Sequence, residues 1–576
     1  MSSDRKVRNR RGRGSGRDCP ETSAWAEQQW GQTKLGDVRR TRRAVALGAA
    51  LAAQPDASLP NQTTNWNELR GAYRLLAEDD VTHAALIAPH IAQIRRAAEE
   101  EIENPHRVTL FVQDTTSFDY TRNGRTAGLG RIGNTHARGF YAHSCLAICV
   151  DGRLDGTEVT EVTEVTEAAA VASPHLLGLA AQHVWIHPLP QVSPSPPSSG
   201  SPNPKPEQAE SRTHLRNRRN ESDIWAETLE AIGPAPSSSC AATIGSSSGS
   251  EPQCSDSFWL SVSDRESDVF SFVRRARAIG WHVLTRICQD RIVNIESSEG
   301  EHLLPRLRSL PPMACKQIEL RGRDGVPKRT VNLHIAWVGG SVRPPTGSMS
   351  RKEERQHAPV AGSWVRCWED PEDPEDPANV MIPKQGENHG ENHGEKNAEE
   401  QDVTEPQKTP EPLEWLLFVT LPVTNASDAR RILEWYSHRW LIEEYHKCLK
   451  TGCSAEKRYL ESEAKLERLL GFLSIVALRL LELREISRLY PDRPARSIVP
   501  DIWLRVVSER NPMSLDRPAK MTVRQFWHSV ARMGGFIGRR SDGEPGWLTL
   551  WRGWFRLQDM VWAVSWVEGD GKQRCW

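Results

Sequence analysis

Two short apolar segments, each running out into an aspartate, restrict what this chain can fold into more than any other feature. Val108, Leu110 and Val112 alternate with Thr109, Phe111 and Gln113 and end at Asp114, the period-two pattern of a half-buried strand. Phe258 to Val262 makes a second such strand, leading through Ser263 to Asp264. Tyr141 to Val150 and Trp415 to Val423 read as further strands, and the second of these precedes a long helical segment. Strands interleaved with helices predict a mixed α/β fold.

The chain has 576 residues, with 74 Lys and Arg against 75 Asp and Glu, long enough for several domains with a sizeable core. Its 21 Trp supply ample apolar surface, so a wholly disordered chain is excluded. The longest apolar run, Leu469 to Leu478, lies between Arg468 and Arg479, far short of the ~20 residues that cross a bilayer. The 11 cysteines form no C-x-x-C pair, which argues against a disulfide framework or a zinc ribbon. No apolar stretch follows the basic arm Met1 to Asp18, so no signal peptide is read there. The expectation is a soluble cytoplasmic protein with no membrane partner. The net charge of -1 conceals strong local asymmetry: residues 367–406 hold 13 acids against 2 bases, the Thr-Glu-Val repeat at 157–167 adds 4 acids, and the remainder carries +14. Neutrality overall therefore does not argue against a nucleic-acid partner.

Composition divides the chain into a basic arm (1–24), a helical N-terminal segment (25–98), a central segment of mixed strands and helices (99–460) and a helical C-terminal segment (461–576). In the N-terminal segment, Leu35, Val38, Ala44, Val45, Leu47 and Leu51 recur at loose helical spacing, with Arg39, Arg40, Arg42 and Arg43 on the same stretch. Such a cluster suits DNA phosphates, although a solvated helix face has the same pattern. Low-complexity insertions are read at 155–257 and 340–412, where Pro, Ser, Gly and short acidic repeats cannot offset their ordering entropy. The tandem Gly-Glu-Asn-His repeat containing His389 and His393 is not read as a metal site, because its glycines oppose a helix. In the C-terminal segment, Trp547, Trp551, Trp554, Trp562 and Trp566 read as a packing or dimerisation stripe.

The densest chemistry lies in the helix expected from an N-cap near Ser427 to about Lys450. Tyr436, Arg439, Glu443, Lys447 and Lys450 fall within an arc of about 80° on one face of a continuous helix. The same spacing also serves ordinary ion pairs on an exposed face. With Asp114 and Asp264, however, Glu443 completes a set of three hard oxygen donors that suits Mg²⁺ or Mn²⁺.

The run from Tyr436 through Arg439, Glu443 and Lys447 to Lys450-Thr-Gly resembles the Y-x2-R-x3-E-x6-K signature of bacterial DDE transposases of the insertion-sequence-four family. The similarity is to the branch that includes the transposase of the composite kanamycin-resistance transposon. Asp114 in Gln-Asp-Thr-Thr-Ser and Asp264 in Ser-Asp-Arg-Glu-Ser-Asp look like the first two acids, and Glu443 the third. Leu35-Gly-Asp-Val-Arg-Arg, Gly71-Ala-Tyr-Arg, Arg138-Gly-Phe-Tyr-Ala-His143-Ser and Gly534-Gly-Phe extend the likeness to nearly the whole chain outside the arm and the insertions.

The resemblance implies a ribonuclease-H-like core with a β-rich insertion at about 287–425, flanked by a helical DNA-end-binding domain and a helical dimerisation domain. It implies cut-and-paste transposition through a DNA hairpin, with Asp114, Asp264 and Glu443 holding two Mg²⁺ or Mn²⁺ ions. Tyr436, Arg439, Lys447, Lys450 and Arg286 would contact DNA, and Trp415 would stack a flipped base. Partners would be the double-stranded inverted repeats, target DNA and a second copy of the chain, in a bacterial nucleoid setting. The competing readings are an impaired or domesticated relative that binds element ends as a regulator, and a structure-specific nuclease on the same fold.

Overall fold

The computed structural model describes residues 20–104, 106–133, 136–152, 174–187, 221–236, 257–295, 298–320, 329–345, 354–370, 412–510, 520–539 and 543–570. Residues 1–19 of the basic arm and the Thr-Glu-Val, Pro-Ser and Gly-Glu-Asn-His repeats lie outside these residues, whereas residues 20–24, expected to belong to the arm, begin the first helix. One 12-stranded sheet runs through the centre. Its principal strands are β1 (Arg107–Asp119), β2 (Arg138–Asp151), β3 (His175–Trp185), β4 (Phe258–Ser263), β5 (His282–Arg286), β6 (Ile292–Ile295), β7 (Ser298–His302), β8 (Ala314–Leu320), β9 (Arg329–Val342), β10 (Val360–Glu369) and β11 (Glu414–Val419). Across the first half the order is β3-β2-β1-β4-β5, with β1–β4 and β4–β5 parallel and β1–β2–β3 antiparallel. The sheet continues antiparallel through β11, β10, β9, β6 and β7, with β8 also on β9.

Two segments depart from the expected low-complexity insertions. Within 155–257, His175–Trp185 is strand β3, and Ile224–Ile232 is a helix, α5 below. Within 340–412, Val360–Glu369 is strand β10, inside the sheet between β9 and β11. Flanking repeats hid these elements. Inside them, Leu179, Ala181, Trp225, Leu229, Trp364 and Cys367 supply buried side chains that meet the ordering cost the repeats cannot.

Helices cover both faces of the sheet, and the pleat sorts residues between them. The N-terminal helices are α1 (Pro20–Trp30), α2 (Val38–Ala53), α3 (Trp66–Ala77) and α4 (His83–Ile102). After them come α5 (Ile224–Ile232), α6 (Phe270–Ala278), α7 (Ala426–Ser437), α8 (Trp440–Lys447) and α9 (Glu463–Leu489). The last three are α10 (Asp501–Arg510), α11 (Val523–Met533) and α12 (Trp547–Asp570). Val108, Leu110 and Val112 of β1, with Leu260 and Val262 of β4, join the core that includes Tyr445 of α8 and the leucines of α9. Phe111 and Trp259 point the other way, into a cluster with Trp225 of α5, Phe272 of α6 and Trp281. There the Phe111 ring lies 4.9 Å from Trp259 and 4.6 Å from Trp281.

The N-terminal helices are wired into this sheet by buried polar groups. His90 on α4 donates from Nδ1 to Gln29 Oε1 (2.8 Å) and accepts at Nε2 from the Leu179 amide (3.1 Å). The contact is possible because residue 178 is glycine: a Cβ there would stand 2.8 Å from His90 Nε2. His83, also on α4, meets Gln182 Oε1 of β3 at 2.8 Å. At the C-terminal end, Trp554 of α12 packs against Trp503 (4.6 Å) and Trp527 (5.5 Å). Trp551 closes over Gly452, where a Cβ would approach its ring to 2.6 Å. Trp551 and Trp554 therefore serve packing within the chain. The described cysteines are all free, with Cys145 and Cys149 buried in β2. No helix among the described residues is long and apolar enough to cross a membrane.

Burial lowers the histidine pKa to about 4 at His83, His90, His282 and His438 and to about 3 at His446. The unfolded chain therefore takes up protons first as pH falls, and stability present above about pH 6.5 is lost progressively towards pH 4. For His90, protonating Nε2 would set a second donor against the Leu179 amide. In unfolding titrations from pH 7 to pH 4 each buried histidine should steepen the fall in stability by on the order of 3 kcal/mol, set against the opposite contribution of Asp114, Glu463 and Glu482, whose carboxyls burial raises to about 7. His90→Gln should reduce that slope by one proton; an unchanged slope would show that His90 is not held neutral.

Candidate active site

Register brings the first two acids together. The last parallel pair between β1 and β4 is Val112↔Val262, so Asp114 and Asp264 each lie two residues beyond it, at the same level on neighbouring strands. Both share the pleat parity of Val112 and Val262 and so emerge on the α8–α9 side. Asp114 does not close its strand as the sequence pattern predicts. Pairing with β2 continues past Asp114↔Ser144 to Asp119↔Gly139. Polar Thr115, Thr116 and Ser117 end the apolar pattern without ending the backbone ladder. Asp264 does follow the end of β4, and its Oδ1 accepts from the Arg265 amide (2.7 Å) as the chain turns into a short 3₁₀ helix.

The third acid comes from a helix that is shorter than expected. The N-cap is Asn425, whose side chain accepts from the Asp428 amide, and not Ser427. The continuous helix expected to Lys450 breaks at His438–Arg439. There His438, Arg439, Leu441 and Ile442 bond to carbonyls three residues back, which tightens the turn. Arg439 stands at this junction. One of its guanidinium nitrogens lies 3.7 Å from Asp264 Oδ2 and the other bonds Glu443 Oε1. A second irregularity, a π-turn over Cys448–Gly452 with Cys453 N bonded to Cys448 O (2.8 Å), ends the segment.

Electrostatics register the crowding of acids. Burial pushes the Asp114 carboxyl up to about 7; the Thr115 amide and Arg439 oppose the rise, and Asp264 and Glu443 add to it. Burial works against the Arg439 charge, but Tyr436, Asp264 and Glu443 outweigh it and hold the guanidinium protonated. Tyr436 is pushed up to about 12 by burial, with Asp264 contributing. Its hydroxyl is buried and has no well-formed hydrogen bond. Among the described residues, no three His, Cys, Asp or Glu side chains are close enough to hold an ion as they stand. At the acids, Arg439 supplies the positive charge.

Other residues singled out by sequence converge here. Arg286 ends β5 opposite Leu417 and donates to the Glu414 carbonyl (3.1 Å), within electrostatic reach of Tyr436. Trp415 of β11 is half-buried and meets the Tyr436 ring edge-on at 5.4 Å. Lys447 is exposed one turn beyond Glu443. Lys450 departs from the expected common face. The π-turn directs it to Glu456 (3.6 Å) and over Phe118 (5.7 Å), about 13 Å farther along β1 than Asp114.

The N-terminal arginines form a separate basic site. Arg39, Arg40 and Arg43 of α2 and Arg70 and Arg74 of α3 line a groove of about 360 Å³. Arg43 lies across Gly71, where a Cβ would collide with its guanidinium. Arg40 is held by Glu78, by Asp80 (2.5 Å) and by the Leu35 carbonyl (3.1 Å), which gives it a structural task. Arg39, Arg42 and Arg43 are exposed. Sequence reading missed Arg70 and took in Arg74 only as the end of the Gly71-Ala-Tyr-Arg motif, although their i, i+4 spacing on a capped helix was available as a signal.

Comparison with known families agrees with this division. A family model described as transposase DNA-binding matches residues 22–81, which contain the arginine groove. A model described as the transposase DDE domain matches residues 273–479, from α6 through α9, and so takes in Arg286, Trp415, Tyr436, Arg439 and Glu443. Asp114 and Asp264 precede that match. With a transposase DNA-binding domain and a DDE domain on one polypeptide, the chain is a DDE transposase.

Proposed function

We propose that this transposase acts by cut and paste on the inverted-repeat ends of its element, as a homodimer on paired ends. Hydrolysis at each end frees a 3′-hydroxyl, which attacks the phosphodiester of the opposite strand to form a hairpin. The hairpin is reopened by water, and the 3′-hydroxyl then joins target DNA. The single observation that carries this reading is the equal register of Asp114 and Asp264 on adjacent parallel strands, with Glu443 facing them through Arg439. We read β3-β2-β1-β4-β5 as the ribonuclease-H-like core and β6 to β11 as its β-rich insertion.

Three carboxylates fit a divalent cation by their donor chemistry. Asp114, Asp264 and Glu443 would hold Mg²⁺ or Mn²⁺, two per site, supplying activation of the attacking oxygen and charge relief at the leaving one. Arg439, which holds Glu443 here, would be placed to meet a DNA phosphate once the acids are neutralised. The Tyr436 hydroxyl and Arg286 stand beside it to bind the same backbone, and exposed Lys447 extends the contact. Trp415 offers its half-buried ring to the base displaced as the hairpin closes. The groove of Arg39, Arg43, Arg70 and Arg74, with Arg42 beside it, holds the end duplex at its phosphates.

Purified protein with Mn²⁺ or Mg²⁺ should nick and hairpin a fragment bearing the element's end. Asp264→Ala and Glu443→Ala should each lower cleavage by about 10²–10³-fold, with binding of the end retained in mobility-shift assays. Parental activity in Asp264→Ala would overturn the assignment of that acid. Trp415→Ala should leave the first nick close to parental while hairpin formation drops by about 10–100-fold, the value of one lost base–aromatic stack. Equal loss of both products in a denaturing gel would remove the stacking role.

A further inference from the structure

The side of the sheet opposite the acids carries a continuous polar chain in an otherwise aromatic core. Gln113 and Thr115, the two neighbours of Asp114, share one face of β1, where strand alternation places them with Phe111. The Gln113 amide nitrogen donates to Ser261 Oγ of β4 at 2.7 Å. Its carbonyl oxygen is 3.1 Å from His143 Nε2 of β2, so that nitrogen carries the imidazole proton. His143 Nδ1 then accepts from the Thr115 hydroxyl at 2.8 Å. Gln113, His143 and Ser261 are completely buried, and the Trp225 ring packs edge-on against the imidazole at 4.7 Å.

Donor and acceptor alternate from Thr115 through His143 and Gln113 to Ser261, so each link fixes the orientation of the next. The chain crosses three strands in the order β2, β1, β4. It grips the backbone immediately before and after Asp114, and it attaches to β4 three residues before Asp264. A polar chain of this kind in an apolar layer is costly unless fully satisfied. Hydrophobic residues of similar volume would pack the same space, so stability alone does not call for it.

Resting on the active-site reading above, we propose that Thr115, His143, Gln113 and Ser261 are positioning residues that set the spacing between the Asp114 and Asp264 carboxylates. They touch no substrate. Their effect is exerted through the backbone of β1 and β4, and the quantity they control is the separation of two charged groups that must act on one phosphodiester.

The test compares the full chain with Thr115→Val, Ser261→Ala, His143→Phe and His143→Gln. Cleavage of an end-bearing fragment gives kcat and KM, mobility shift gives end affinity, thermal melting gives stability, and electron spin resonance of free Mn²⁺ gives ion binding. Thr115→Val and Ser261→Ala change one hydroxyl each and preserve packing. Each should lower kcat at least fivefold and weaken Mn²⁺ binding, with KM and end affinity within twofold of the parent. His143→Phe should lose more, and His143→Gln, which keeps an acceptor and a donor, should recover most of that loss at equal melting temperature. Parental kcat and Mn²⁺ binding in Thr115→Val and Ser261→Ala would overturn the proposal. So would activity that follows melting temperature alone, with His143→Gln no better than His143→Phe. If the parent chain itself fails to cleave, or Asp264→Ala cleaves as well as it does, the active-site reading fails instead.

Discussion

Parallel pairing of β4 against β1 is the constraint on which the rest of the site depends. A ladder ending at Val112↔Val262 gives Asp114 and Asp264 the same height and the same side of the sheet. A slip of one residue would carry one carboxylate to the opposite face, among Phe111, Trp225 and Trp259. The aromatic layer on that face and the leucine layer around α9 thus enforce the register jointly. Either strand displaced by one residue would bury a charge and mispack both apolar layers at once.

Placing acids so close has an electrostatic cost, and Arg439 carries the compensation. Its position follows from the break between α7 and α8, since the tightened turn at His438–Arg439 puts the guanidinium between Asp264 and Glu443. The next residue pair shows how α8 is itself fixed. Glu444 accepts from Trp440 Nε1 (3.1 Å) and pairs with Arg484 of α9 (2.6 Å) in a buried setting. A buried ion pair is weak as a source of stability but demanding in geometry. Here it orients the helix that carries the third acid.

Much of this was legible in the sequence because the relevant signals are local. Period-two alternation located β1, β2, β4 and β11, and the order of acids and the Tyr-Arg-Glu-Lys spacing singled out residues that the fold brings together, Lys450 excepted. What failed was what depends on tertiary context. Asp114 looked like a strand terminus because polar residues follow it, whereas the antiparallel partner β2 holds the ladder together to Asp119. Lys450 looked cofacial with Glu443 because a regular helix was assumed through two irregular turns. The strands at 175–185 and 360–369 were absorbed into neighbouring repeats, since composition averaged over a long window conceals ten ordered residues. His143 appeared in a recognisable motif, but only the fold reveals that it bonds to both neighbours of Asp114.

The DNA-binding helices and the acids belong to one mechanical unit, and buried polar contacts make them so. Gln182 on β3 meets His83 of α4, Ser144 of β2 (3.0 Å) and Ser474 of α9 (2.6 Å), with Tyr445 of α8 at 3.4 Å. Farther round, Arg458 is 5% exposed and donates to the carbonyls of Pro55, Ala57 and Cys453, joining the loop after α2 to the segment that follows the π-turn. Each contact satisfies groups that would be costly to leave unpaired, so the helices cannot separate from the sheet without exposing several at once. On the proposed reading, an end duplex held by arginines on α2 and α3 would be held at a fixed distance from Asp114. Choice of the cleaved bond can then rest on where the duplex is gripped, with no base contact needed at the acids themselves.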